Sequence, residues 1–192
     1  MTHRIQKKLA IFAPFKIKPI NKTTRRWKME NRKDKTAILF VCLGNICRSP
    51  AAEGIMKQLI EDQGLSDKYY VDSAGMGNWH EGQLPDARMR QHGAKRGYDF
   101  CSRARQFKAN DFGVFDYIVV MDEQNYSDAR SLALTDEEAQ KVVRMADYLR
   151  QLEQHDHIPD PYYGGASGFE LVLDLLEDGC KELLAAIEKT GC

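Results

Sequence analysis

Short apolar runs alternate along the chain with stretches in which apolar residues recur every three or four positions. The short runs predict strands at residues 37–41, 69–71, 117–120 and 142–145. The periodic stretches predict helices over residues 50–63, 85–92 and 167–187. Strands that alternate with helices indicate one α/β domain, with a four-stranded parallel sheet flanked by helices on both faces.

Capping residues predict where these helices begin and end. Ser49 is expected to cap the first helix, with Pro50 at its first position and Gly64 closing it. Gly93 is expected to end the second helix. The pattern Ser167-x-x-Glu170 predicts a capping box at the start of the last helix.

Charge divides the chain into two unlike parts. The 192 residues are 43% apolar, enough for a core, and their formal charges sum to zero. Residues 1–35 hold 12 Lys or Arg against 2 acidic residues, whereas residues 36–192 hold 16 against 26. We therefore expect a basic, disordered N-terminal extension over 1–35 and a folded domain over 36–192. No nucleic-acid partner is expected. Three interpretations of the extension stay open: an arm that touches nucleic acid or another anionic surface, a solvated tail, or a true start of the protein at Met29.

The cysteines indicate the compartment. The five cysteines, at positions 42, 47, 101, 180 and 192, are odd in number and irregularly spaced. This pattern favours reduced thiols over a disulfide framework. No secretory signal precedes them, and no apolar run approaches the roughly 18 residues of a membrane-spanning helix. A cytoplasmic location without membrane attachment is expected.

Residues 42–49 carry the most informative chemistry. They join a buried strand to a helix start, where free backbone N–H groups and the helix dipole bind phosphate. Gly44 permits a backbone conformation with a positive φ, and Asn45 tolerates the left-handed region better than most residues. Arg48 can fork onto two phosphate oxygens. The same positive field favours a nucleophilic thiolate at Cys42.

Residues 41–53, Val-Cys-Leu-Gly-Asn-Ile-Cys-Arg-Ser-Pro-Ala-Ala-Glu, resemble the phosphate-binding loop of the low-molecular-weight protein tyrosine phosphatases. The resemblance covers most of 36–190 and includes the late segment Asp160-Pro-Tyr-Tyr-Gly. It implies that Cys42 forms a phosphocysteine, that Arg48 binds phosphate, and that Asp160 is the general acid and base, without metal or cofactor. The implied phosphate-binding loop comprises Leu43, Gly44, Asn45, Ile46, Cys47 and Ser49.

The same resemblance implies a specificity. Trp79, Tyr162 and Tyr163 are similar to the aromatic walls of the family pocket, which favour phosphotyrosine over the shorter phosphoserine. Related arginine phosphatases carry threonine where this chain has Ile46, so isoleucine also favours phosphotyrosine. The expected partners are therefore phosphotyrosine proteins, with a bacterial-type tyrosine kinase as one candidate opposing enzyme. The sequence leaves the oligomeric state open.

A supporting hydrogen-bond network is also implied. Asn45, Ser49 and Ser73 resemble a set that holds the loop open and tunes the thiolate, and Ser102 stands where many relatives have histidine. A hydroxyl there can still donate and accept. Two interpretations of Cys47 stay open. It is either a resolving thiol that forms a reversible disulfide with the nucleophile, or a residue packed under the loop.

Three other functions would use some of the same residues. An arsenate reductase of the same fold would use Cys42 and Arg48, but it needs a cysteine pair near residues 90–125, where only Cys101 occurs. A phosphate-binding module without catalysis has no need for both Cys42 and Asp160. A zinc site built from Cys42, Cys47, His155 and His157 lacks suitable spacing and faces Arg48.

Overall fold

The computed structural model describes residues 34–190, and their central element is a sheet of four parallel strands. The strands are β1 (Thr36–Cys42), β2 (Tyr69–Gly75), β3 (Tyr117–Val120) and β4 (Val142–Arg144). They lie in the order β2-β1-β3-β4, so β1 is internal, and each pair is parallel. The predicted four-stranded parallel sheet is confirmed.

Helices cover both faces of the sheet, as predicted. They are α1 (Arg48–Asp62), α2 (Ala87–Lys95), α3 (Glu123–Ser131), α4 (Asp136–Gln140) and α5 (Ala166–Thr190). Side chains of β1 alternate between the two faces, because successive residues of a strand point to opposite sides. Ile38 and Phe40 join a core built largely from α1 and α5. Leu39 and Val41 join a second core with Phe112 and residues of α3.

Two predicted helix starts are wrong. Helix α1 begins at Arg48 with Cys47 at the N-cap, so Ser49 lies inside the first turn and Pro50 is the third residue. The Ser49 hydroxyl is instead 3.0 Å from the Cys42 thiol. Helix α5 begins at Ala166, one residue before the predicted capping box at Ser167.

The boundaries of the middle helices also differ from the prediction. Helix α2 is capped by the Asp86 side chain and continues through Gly93 to Lys95. A glycine is needed at position 93 inside the helix, because an added Cβ would lie 2.3 Å from the Phe100 ring. Helices α3 and α4 were not predicted, since both are short and mostly polar.

The predicted disordered extension lies mostly outside the described residues, as does Cys192. Within residues 34–190, no helix is both long and apolar enough to cross a membrane.

Candidate active site

The candidate site lies at the carboxyl ends of the three strands β2, β1 and β3, where parallel sheets commonly bind ligands. The loop between β1 and α1 runs over this edge. Its first residues are tied to the segment after β2: Met76 N donates to Cys42 O, and Gly77 N donates to Leu43 O, both at 2.9 Å. The chain after β3 supplies Asp122, which caps α3.

The loop turns at Asn45, which adopts a φ of 56°. Gly44 does not use the positive φ that glycine permits, and a different constraint explains this glycine. A Cβ on Gly44 would lie 3.2 Å from the His80 ring. Gly75, at the end of β2, is still more confined, because a Cβ there would lie 2.9 Å from both the Asn45 nitrogen and the Gly44 carbonyl carbon. Because Gly44 and Gly75 have no side chains, the phosphate-binding loop can lie close to the end of β2 and to His80.

A buried network of polar side chains supports the nucleophile candidate. The Asn45 amide nitrogen donates to the hydroxyls of Ser49 and Ser73, both at 2.9 Å. Its amide oxygen accepts from the Arg105 backbone nitrogen at 2.9 Å, which fixes the orientation of the amide. The Ser49 hydroxyl lies 3.0 Å from the Cys42 sulfur and 3.1 Å from Ala74 O. The single Ser49 proton can go to only one of these two acceptors. Once Cys42 is a thiolate, the sulfur has no proton of its own, and we expect the hydroxyl to donate to it.

The network continues to a buried carboxylate that sequence reasoning did not single out. Ser73 donates to Glu53 Oε2 at 2.6 Å, and Lys57 pairs with the other Glu53 oxygen. Pairing offsets the cost of burying this charge. Ser102, predicted as a member, is not joined to the network: within residues 34–190 no hydrogen bond links its hydroxyl to these side chains. The amide oxygen of Asn45 accepts from the backbone nitrogen of Arg105.

Arg48 connects three separate parts of the chain. Its Nη1 donates to Asp122 Oδ2 at 2.5 Å and to Ile158 O at 3.1 Å, and its Nη2 donates to Asp160 Oδ2 at 2.8 Å. The side chain is only 3% exposed. Its Nε is buried and has no hydrogen-bond partner among the described residues, and the residue lines the cavity described below.

Electrostatics keep Arg48 charged despite its burial. Burial alone would lower the pKa of Arg48, but the charges of Cys42, Asp160 and Asp122 outweigh it and raise the pKa above the usual value. The residue therefore presents a permanent positive charge to the cavity.

Asp160 lies on a loop that hydrogen bonds to the chain just after β3 and to Arg48. Ile158 N donates to Met121 O at 2.8 Å, which ties the loop to the end of β3. The Asp160 Oδ1 accepts from the backbone nitrogen of Tyr162 at 3.0 Å, while Oδ2 faces Arg48. The carboxyl remains 39% exposed, so it has access to solvent.

These groups border one cavity of about 360 Å³. Cys42 and Arg48 line it together with loop residues, and the three predicted aromatic residues and Asp160 lie on its walls. Trp79 is 58% exposed and Tyr163 is 95% exposed, as expected of a cavity mouth rather than of core residues. His80 also lines the cavity, and its signal in the sequence was its position beside Trp79.

Cys47 differs from Cys42 in its surroundings, although both thiols are free and buried. Burial raises the pKa of the Cys47 thiol well above its ordinary value, and the charges of Asp86 and Cys42 raise it further. Cys47 is thus held as a neutral thiol beside the cavity. Residues 34–190 contain no cluster of three His, Cys, Asp or Glu side chains that could hold a metal ion.

Comparison with known proteins identifies the family. The sequence profile described as low molecular weight phosphotyrosine protein phosphatase matches residues 37–191. This chain belongs to that family. A putative low molecular weight protein-tyrosine-phosphatase of Synechocystis is 48% identical over 152 residues, covering 79% of this chain and 96% of the relative. The low molecular weight phosphotyrosine protein phosphatase of Sus scrofa is 37% identical over 156 residues, covering 79% and 95%.

Solved structures of this phosphatase family share the fold. A crystal structure of a protein tyrosine phosphatase from Entamoeba histolytica superposes with a TM-score of 0.79 at 44% identity, covering 82% of this chain and 100% of that chain. The resemblance inferred from residues 41–53 and 160–164 is confirmed at the level of family and fold.

Proposed function

We propose that this phosphatase hydrolyses phosphotyrosine in proteins through a cysteinyl-phosphate intermediate. The observation that carries the proposal is the convergence of Cys42, Arg48 and Asp160 on one cavity with aromatic walls. Arg48 and the loop amides supply positive charge at the cavity floor, which is the main requirement of phosphoryl transfer.

In the first step, the Cys42 thiolate attacks phosphorus while the bond to the tyrosyl oxygen breaks. The leaving phenolate has a conjugate acid of pKa about 10, so it leaves faster when it is protonated. Asp160, in its protonated form, donates that proton. The Ser49 hydroxyl, 3.0 Å from the sulfur, stabilises the thiolate before attack and again when it is released.

In the second step, water attacks the phosphocysteine. The Asp160 carboxylate accepts a proton from this water as the P–S bond breaks, so inorganic phosphate leaves and the thiolate is regenerated. Arg48 retains its charge throughout and binds the equatorial oxygens of the phosphoryl group. The protein side chains thus account for both half-reactions.

The choice of phosphotyrosine is supported by the shape of the cavity. Its walls include Trp79, Tyr162 and Tyr163, and apolar Ile46 lines the loop side. Flat aromatic walls suit a phenyl ring, and isoleucine offers no hydroxyl to a guanidinium group. The protein partners are then phosphotyrosine proteins. We place the enzyme in the cytoplasm, because its cysteine nucleophile works only when reduced.

The decisive experiment is turnover of p-nitrophenyl phosphate in EDTA. The wild type is expected to retain full activity, Cys42→Ser to lose all measurable turnover, and Asp160→Asn to lose about 10²-fold or more. Cys101→Ser is the matched control, since Cys101 is an exposed cysteine and is expected to leave the rate unchanged. Full activity in Cys42→Ser would rule out the phosphocysteine.

A second comparison tests the substrate. Phosphotyrosine and phosphoarginine peptides of the same sequence are offered to the wild type, and phosphotyrosine is expected to give the higher kcat/KM. The opposite order would assign the enzyme to phosphoarginine and would show that Ile46 does not determine the choice.

A further inference from the structure

Arg88 in α2 has no part in the proposed chemistry, yet it contacts both the cavity wall and the core. Its Nη2 donates to the main-chain oxygen of Tyr162 at 3.1 Å. Its guanidinium carbon lies 5.4 Å from the centroid of the Tyr162 ring and 4.9 Å from that of Phe169. These distances fall within the range of cation–π contacts. Arg88 therefore joins an exposed wall residue to Phe169, which is 1% exposed.

The other side of Arg88 is connected to the phosphate-binding loop. Its Nε and Nη2 donate to the two oxygens of Asp86 at 3.0 and 2.9 Å, a forked arrangement that arginine forms and lysine does not. This pairing holds the pKa of Asp86 below its usual value. The backbone nitrogen of Asp86 donates to Ile46 O at 2.7 Å. A continuous series of contacts thus runs from Ile46 through Asp86 and Arg88 to Tyr162.

Tyr162 in turn holds the proposed general acid. Its backbone nitrogen donates to Asp160 Oδ1, while Arg48 donates to Oδ2, so each carboxyl oxygen is fixed by a different residue. Residues 162–167 are all exposed and receive little support from packing. Because burial does not hold this segment in place, the contact with Arg88 is what anchors it.

We infer that Arg88 is a positioning residue for the general acid. It fixes the Tyr162 segment, and through it the Asp160 carboxyl, at a set distance from the phosphate-binding loop. The inference rests on the proposed phosphatase function, because it concerns proton donation to a leaving group. Small displacements of a catalytic group are costly, since proton transfer requires hydrogen-bond geometry.

The test uses aryl phosphates whose leaving phenols range from strongly acidic to tyrosine-like, with kcat/KM measured for each. A poor leaving group needs the proton from Asp160, whereas an acidic phenol leaves without it. Arg88→Ala is therefore expected to lose about 10-fold on tyrosine-like leaving groups and little on acidic ones. Arg88→Lys is expected to recover only part of the loss, because it keeps the charge without the forked contact.

Lys95→Ala is the matched control: Lys95 is an exposed cation in the last turn of the same helix, and its loss is expected to leave the whole series unchanged. Thermal melts identify a variant that fails to fold, and Arg88→Lys then carries the test. Equal loss across the series, or no loss, would overturn the inference while leaving the proposed function intact. A wild type that turns over none of these esters would overturn the proposed function and the inference with it.

Discussion

Replacing Gly75 by alanine tests the close approach of β2 to the phosphate-binding loop. The added Cβ would lie 2.9 Å from two backbone atoms, Asn45 N and Gly44 C, and 3.1 Å from the Asn45 Cβ. Ordinary contacts begin near 3.4 Å, so the loop backbone must move by about 0.5 Å. A flexible side chain cannot absorb this movement, because the nearest atoms belong to the main chain.

The size of the effect follows from that displacement. Overpacking of this kind costs about 1–3 kcal/mol of unfolding free energy, which for a domain of this size lowers Tm by roughly 3–10 °C. Misplacement by about 1 Å can cost 10²-fold in rate, so 0.5 Å is expected to lower kcat/KM by about 10-fold. Thermal melts and steady-state kinetics with an aryl phosphate measure the two effects.

Gly113→Ala is the matched control for Gly75→Ala. A Cβ on Gly113 has nothing within 4 Å, and this glycine does not have a positive φ. It is expected to leave both Tm and kcat/KM at the wild-type values. If Gly75→Ala behaves like this control, the loop does not depend on close packing against β2, and the reasoning is wrong.

Three further changes have defined outcomes. Ser49→Ala removes the hydroxyl beside the Cys42 sulfur, and a hydrogen bond to a charged group is worth about 1.5–3 kcal/mol, so alkylation of Cys42 by iodoacetate at fixed pH should slow by at least about 10-fold; an unchanged rate would contradict this role. His92 and then Arg96 lower the pKa of Glu170 to about 2. The ionised carboxylate thus stabilises the fold fully above the unfolded pKa, and its contribution is lost as pH falls toward 2. The Tm gap between wild type and Glu170→Gln should be present above about pH 4.5 and close as the pH falls below it; a gap that widens in acid would refute this. After peroxide treatment and then thiol, Cys47→Ser should fail to recover activity if Cys47 is the resolving thiol, whereas recovery equal to wild type would favour the packing role.

The sheet was predictable because its strands are short, continuous apolar runs, and β1 is buried on both faces as such a run requires. The helix starts were less predictable. Serine is a residue type that often caps helices, but the Ser49 hydroxyl bonds instead to Cys42 and Asn45. These two residues lie next to Ser49 only in the folded chain. The Ser49 side chain could either cap the helix or bond to the loop, and the tertiary contacts determined which of the two it does.

The parts of the site that were missed depend on contacts distant in sequence. Asp122 reaches Arg48 across 74 positions, and nothing local in its sequence marks it as a partner. The position of Ser102 in the family pattern suggested a network role, but among the described residues its hydroxyl does not bond to the network, and the Asn45 amide oxygen accepts from the backbone of Arg105. Local pattern indicates the chemistry of a loop, whereas its partners emerge only from the fold.

The pairing of Arg48 with a residue far along the chain also has a consequence for the order in which the site is synthesised. The nucleophile and the phosphate-binding loop leave the ribosome early, but Asp160, which pairs with Arg48, is made 112 residues later. Helix α5, which completes the core beneath α1, follows later still. Because domains generally fold as units, a growing chain carries its thiol long before it can protonate a leaving group. Phosphatase activity should therefore appear only after α5 has been synthesised.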